Sequence, residues 1–150
     1  MPSRALAACL VAAGVALGVG CGGGPDEDDV RSVVSNYVQA SLTGNGRQAC
    51  AYYTPEMRAQ ARREARERGL KNCAQLVGSA VRARIARLPR DVRREVEDAF
   101  SDPGELDVDV ADDRHARAAL EVPHGVMADP KVALVRTAEG WRIQRVGGVN

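Results

Sequence analysis

Few side chains in this chain pair a reactive group with neighbours that would activate it. The candidates for general acid or base work are Asp107, Asp109, His115 and His124, with the phenols of Tyr37, Tyr52 and Tyr53. A carboxylate or imidazole takes that role when burial or a nearby charge moves its pKa toward neutrality. Asp107 and Asp109 alternate with Leu106, Val108 and Val110, which places both carboxylates on the solvent side of a strand. His115 falls opposite an apolar set in the same way, and His124 belongs to the turn Pro123-His124-Gly125. Tyr37 alone sits on an apolar stripe, where a phenol buries its ring and seeks a partner for its hydroxyl. Asp112, Asp113 and His115 offer metal-binding atoms, yet three adjacent loop residues rarely supply a full ligand set. The cluster Gly22-Gly23-Gly24 does not lie between a strand and a helix, as a phosphate cradle must. No catalytic residue, metal or other cofactor is assigned on these patterns.

The cysteines are more informative. Met1-Pro2-Ser3-Arg4 carries one positive charge, and Ala5 to Val19 holds only Ala, Leu, Val, Gly and one Cys. Residues 1–20 therefore read as a signal peptide. A membrane-spanning anchor, the alternative, needs about 20 apolar residues. Small residues at Val19 and Gly20 precede Cys21, and this arrangement resembles a bacterial lipoprotein precursor. The resemblance implies cleavage before Cys21 and attachment of fatty acyl chains such as palmitate to its sulfur and new amino terminus. Leu17 stands one place earlier than that family's pattern has it. Leu6-Ala7-Ala8-Cys9 fits the spacing but leaves no room for the apolar region of the signal. The expected location is the extracytoplasmic face of the cell membrane, with the lipid anchor as the membrane contact. Residues 21–29 would be the lipidated cysteine and a flexible acidic tether with an r.m.s. reach of about 15 Å, and residues 30–150 the folded domain.

With Cys9 in the signal and Cys21 acylated, Cys50 and Cys73 remain, 73 − 50 = 23 positions apart. An even remainder in an exported chain points to a disulfide, and closing that loop is worth about 3 kcal/mol in the entropy model. A zinc site or a thiol nucleophile is the alternative, and each lacks a suitably placed histidine. Removal of the signal leaves 150 − 20 = 130 residues, enough for one domain with a core. It also leaves 21 − 1 = 20 basic against 20 acidic residues, a balance that argues against a nucleic-acid partner. An aromatic content of 3% gives no stacking platform for bases or sugars. Charge is nevertheless uneven: Arg58 to Arg94 holds twelve Arg or Lys against three acids, and Glu95 to Asp113 nine acids and no base. Such blocks are read as solvated faces that partly neutralise each other, with anionic lipid or cell-wall polymer as the alternative partner of the basic one.

The elements that must hold these residues follow from periodicity. Val30, Val33, Val34, Tyr37, Val38 and Leu42 predict a helix from about Asp26 to Thr43, its acidic first turn matched to the helix dipole. Gly44-Asn45-Gly46 ends it. Thr54-Pro55 reads as an N-cap with proline at the first helical position, and Gly69 as the stop of a largely exposed helix. Asn72-Cys73-Ala74-Gln75 has capping-box spacing and opens a helix with the stripe Cys73, Leu76, Val77, Ala80, Val81, Ile85 and Leu88, ending at Pro89. A helical turn or two follows, carrying Val92, Val96 and Phe100. From Leu106 the period changes to two. Alternation over Leu106 to Val110, Ala116 to Val122, Val132 to Thr137 and Trp141 to Val146 predicts an antiparallel meander with helices on one face, an α+β domain.

Several of these residues together carry a second resemblance. The first helix with Tyr37 and Val38, the Gly-Asn-Gly turn, Arg47-Gln48-Ala49-Cys50 leading to Tyr53-Thr54-Pro55, the second cysteine after a helix, and the terminal strands Ala133-Leu134-Val135-Arg136-Thr137-Ala138-Glu139-Gly140-Trp141-Arg142-Ile143 are similar to small exported actinobacterial proteins of the nuclear transport factor two-like superfamily. The likeness covers Asp26 to Val146. It implies a cystatin-like cone, a curved antiparallel sheet wrapped around a long N-terminal helix with further helices, and a pocket to which Tyr37, Tyr53 and Trp141 would contribute. Enzymes of that superfamily, such as ketosteroid isomerase and scytalone dehydratase, keep an acid or base inside the cone, and no motif here matches theirs. The expected function is thus a non-catalytic envelope module that binds a small apolar ligand or an envelope protein, the latter also through the basic helix around Arg62, Arg63 and Arg66. The alternative is an isomerase- or dehydratase-like enzyme with a buried acid or base.

Overall fold

The computed structural model of the chain describes residues 24–99, 106–120 and 131–147. Residues 1–20, read as a signal peptide, and Cys21, Phe100, Val122 and His124 lie outside the described residues. Within them the domain is α+β, with five helices and one four-stranded antiparallel sheet.

Helix α1 (Pro25–Leu42) starts one residue before the acidic run, with proline at its first position and Asp26, Glu27 and Asp28 in its first turn. The helix expected from about Asp26 with an acidic first turn is thus present, and it takes in the acids also expected in the tether, because proline is pre-set for a helix start and carboxylates favour its positive end. Gly44, at φ 74°, turns the chain after α1. A helix then follows that periodicity does not predict, α2 (Gly46–Ala51), capped by Asn45 through the N–H of Gln48. Helix α3 (Pro55–Glu67) has the expected cap, Thr54 Oγ1 accepting from the N–H of Met57 at 3.2 Å. Only Ala61 and Ala65 of α3 are buried.

Helix α4 (Cys73–Ile85) opens on Asn72, whose Oδ1 accepts from the N–H of Gln75. Gln75 reaches back one residue beyond a standard capping box, to the N–H of Lys71. The helix ends at Ile85, before the expected Pro89, and Arg87 and Leu88 close tighter turns on the carbonyls of Arg84 and Ile85. A proline disfavours helical geometry in the residue ahead of it, so the last turn unwinds before Pro89. Helix α5 (Arg90–Ala99) is longer than the expected turn or two.

The sheet has the order β1 (Leu106–Val110), β2 (His115–Leu120), β3 (Lys131–Thr137) and β4 (Gly140–Val146), each strand antiparallel to the next. Register aligns Val110, Ala116, Leu134 and Ile143 across one face. That face is buried against Val30, Val34, Tyr37 and Val38 of α1. The opposite face carries Asp107, Asp109, His115 and Arg117, all exposed. A bulge in the β3–β4 ladder at Ala133/Leu134 keeps Ile143 on the core side and turns Arg145 outward.

Three ties fix the helices to this sheet. The N–H of Ile143 donates to the carbonyl of Tyr52 at 2.7 Å and the N–H of Thr54 to that of Ile143 at 2.9 Å, so the corner between α2 and α3 extends the edge of β4. Arg31 of α1 donates to the carbonyl of Leu106 at 2.5 Å. Arg136 of β3 pairs with Asp26 in the first turn of α1, and its guanidinium lies over the Trp141 ring, 5.0 Å from the centroid. Between helices, Cys50 of α2 and Cys73 of α4 form a disulfide with Cα atoms 6.4 Å apart.

A candidate binding cleft between the helices

The inner face of the sheet is occupied by side chains, and the concavity that follows from the helix arrangement lies elsewhere. Helix α3 offers the core two buried alanines and, in its first turn, a half-buried Met57, which leaves part of the apolar stripe of α4 uncovered. Leu76 and Val77 are buried, whereas Val81 and Ile85 remain half exposed and Ala80 exposed. These residues wall a cleft of about 460 Å³, completed by Tyr37 and Leu42 of α1, Glu64 of α3 and Arg68 at its C-cap, Arg84 of α4 and Val96 of α5. A volume of this order accommodates a small molecule.

Tyr37 is the buried polar group of the cleft. Its ring is 6% exposed and that of Tyr53 4%, and their hydroxyls share a hydrogen bond of 3.0 Å with ring centroids 5.5 Å apart. Burial pushes both phenols above their ordinary value, and for Tyr53 the neighbouring Tyr37 and the negative charge of Glu64 add to it. At neutral pH both phenols are therefore protonated, and Tyr37, the one of the two that lines the cleft, is no phenolate base. At the rim, Glu64 accepts from Arg68 at 2.5 Å with both side chains partly in water. Such an exposed pair orients side chains more than it stabilises them.

The other candidates are dispersed. Tyr53 backs Tyr37 without lining the cleft, and Trp141 does not line it either. Trp141 is 2% exposed on the inner face of the sheet, under Arg136, and its Nε1 has no hydrogen-bond partner among the described residues. Asp107 and Asp109 face water across a shallow depression on the outer side of the sheet, shared with Arg117, Lys131 and Arg145. Asp112 is committed to the β1–β2 turn. Its Oδ1 accepts from the N–H groups of Arg114 at 2.7 Å and His115 at 2.8 Å and lies 3.0 Å from His115 Nδ1. The Arg114 N–H first, and then the His115 ring, hold its carboxyl below the ordinary carboxylate range. Among the described residues no three His, Cys, Asp or Glu side chains cluster as metal ligands would.

Comparison with protein families, curated proteins and solved structures yields no match. The cleft's geometry is accordingly the basis for any functional reading. Sequence periodicity had assigned Val81 and Ile85 to the core. The signal that they are not fully covered is the inner face of α3, which after Met57 has only Ala61 and Ala65 and which the sequence already displays.

The tyrosine pair makes a pH prediction. Both phenols have raised pKa values in the folded state, so the folded chain holds these protons more tightly than the unfolded chain. Their contribution to stability is then fully present below the ordinary value of 10.0 and is lost as pH rises beyond it. Denaturant midpoints should fall above that pH, and phenolate absorbance from Tyr37 and Tyr53 should appear only with unfolding. In a Tyr37→Phe, Tyr53→Phe chain the decline should shrink; an unchanged decline would assign it to other groups.

Proposed function

We propose that this chain is an exported lipoprotein, anchored through acyl chains on Cys21 at the extracytoplasmic face of the membrane. Its domain, of the nuclear transport factor two-like type, serves as a non-catalytic module that binds a small, largely apolar molecule. The order of elements supports the fold assignment: a long first helix against an antiparallel meander, with the Tyr53-Thr54 corner paired to the last strand. The Cys50–Cys73 disulfide suits an oxidising compartment outside the cytoplasm.

One observation carries the binding reading: the cleft is walled by apolar α4 side chains and lined by Tyr37, whose buried hydroxyl is bonded to that of Tyr53. The isomerase or dehydratase alternative requires an acid or base inside the domain. Asp107, Asp109 and His115 lend it no support, since all are exposed on the far side of the sheet.

The anchor is tested by metabolic labelling with a radioactive fatty acid. Label should enter the wild-type chain and be lost from Cys21→Ala. Label that persists in the variant would place the lipid elsewhere. For the cleft, Ala80→Trp fills the space between α4 and its neighbours and should abolish binding of apolar fluorescent probes while leaving the thermal midpoint close to that of the wild type. Undiminished probe binding would remove the cleft from consideration.

A further inference from the structure

We infer that the occupant of the interhelical cleft is a free single-chain amphiphile with one negative charge, a medium-chain carboxylate, seated with its head on Arg84. The inference rests on the cleft's being the binding site proposed above and goes on to name the ligand class.

Size gives the first match. A water molecule's share of liquid volume is about 30 Å³, and a methylene group is comparable, so about 460 Å³ gives room for roughly fifteen such groups. That is a chain of about a dozen carbons with a carboxylate lying within the cleft. Shape agrees with this. The apolar wall runs along α4 from Leu76 to Ile85, nine residues at about 1.5 Å each, or roughly 13 Å. It is a straight track for one chain, with Arg84 at one end.

Charge sets the second limit. The lining carries Arg68, Arg84 and Glu64, a sum of two positive charges and one negative, so one anionic head neutralises it. Arg68 is already held by Glu64 at 2.5 Å. Arg82, the other basic residue in the last turn of α4, is turned back to the carbonyl of Gly78 at 2.8 Å. Arg84 has neither an ion pair nor a hydrogen bond among the described residues, so its planar fork is available for a bidentate contact with a carboxylate. A phosphate monoester brings close to two charges at neutral pH and would leave the cleft negative. An alcohol or an ammonium head would leave Arg84 unmatched or repelled.

The test uses the mature lipid-anchored protein in vesicles of neutral phospholipid, incubated with a photoreactive dodecanoate, irradiated and mapped by peptide mass spectrometry. Crosslinks should fall on α4 and be competed by unmodified dodecanoate. Competition by dodecyl phosphate, dodecanol or dodecyltrimethylammonium should be about tenfold weaker, the scale of one charge-assisted contact. Arg84→Gln should lower α4 labelling by a similar factor with no change in thermal midpoint. Equal competition by dodecanol or the ammonium compound would overturn the head-group assignment and leave the cleft reading standing. Crosslinks absent from α4 would overturn both. Loss of labelling when anionic phospholipid is added to the vesicles would make a bilayer lipid the occupant and refute the free carboxylate.

Discussion

Replacing Gly46 by alanine is expected to cost about 3 kcal/mol of stability, the upper end of what overpacking does. Gly46 opens α2 and faces the first turn of α4. A Cβ there would fall 2.6 Å from the carbonyl carbon of Ala74, 2.8 Å from its Cα and closer still to its oxygen. All three are backbone atoms at a helix start and cannot rotate away as a side-chain tip would. Alanine's better helix propensity returns at most about 1 kcal/mol. Gly69 is the internal contrast: it has φ 70° and open space around it, so alanine there meets only the left-handed conformational cost of about 1 kcal/mol. Denaturant unfolding of both variants measures the difference. If Gly46→Ala were as stable as Gly69→Ala, the close approach of α2 to α4 would be wrong.

Reduction of the Cys50–Cys73 bridge, or its removal by Cys50→Ser with Cys73→Ser, is expected to lower stability by about 2 to 4 kcal/mol. The bridge joins the same two helices that meet at Gly46, at the two ends of the segment containing α3. Helix α3 buries little besides Ala61 and Ala65, and alanine contributes far less than the roughly 1.5–3 kcal/mol of a buried Val or Leu. The segment 54–72 should therefore loosen first, exposing Arg62, Arg63, Arg66 and Arg68, whose side chains already face water, to trypsin. Thermal midpoints and tryptic maps with and without reductant give the answer. Identical results in both conditions would mean that the two thiols are unpaired in the folded chain.

Elements with local signals were legible in the sequence. Thr54-Pro55 and Asn72 announce α3 and α4 because a cap is a short-range event between a side chain and an N–H two or three residues on. The strands were legible because one face meets the helices and the other meets water, which writes a period of two. Helix α2 was not, since six residues cannot display a 3.6-residue period and Gly44-Asn45-Gly46 reads only as a stop. The cleft was hidden for a different reason. Whether Val81 or Ile85 is covered depends on what the neighbouring helices bring, a tertiary property that periodicity in α4 alone does not contain. The Tyr37–Tyr53 hydroxyl contact is likewise a meeting of two elements, of which the sequence showed only Tyr37 on its stripe.

The start of α1 at Pro25 changes what the domain can meet. If Cys21 carries the lipid as proposed, only Gly22, Gly23 and Gly24 separate the anchor from rigid structure, and four Cα steps span at most about 14 Å. The pair between Asp26 and Arg136 ties the first turn to the sheet. A domain held so close samples a thin shell above the bilayer, where molecules leaving or approaching the membrane are encountered at high effective concentration. With that anchor, more distant layers of an envelope would lie beyond its reach.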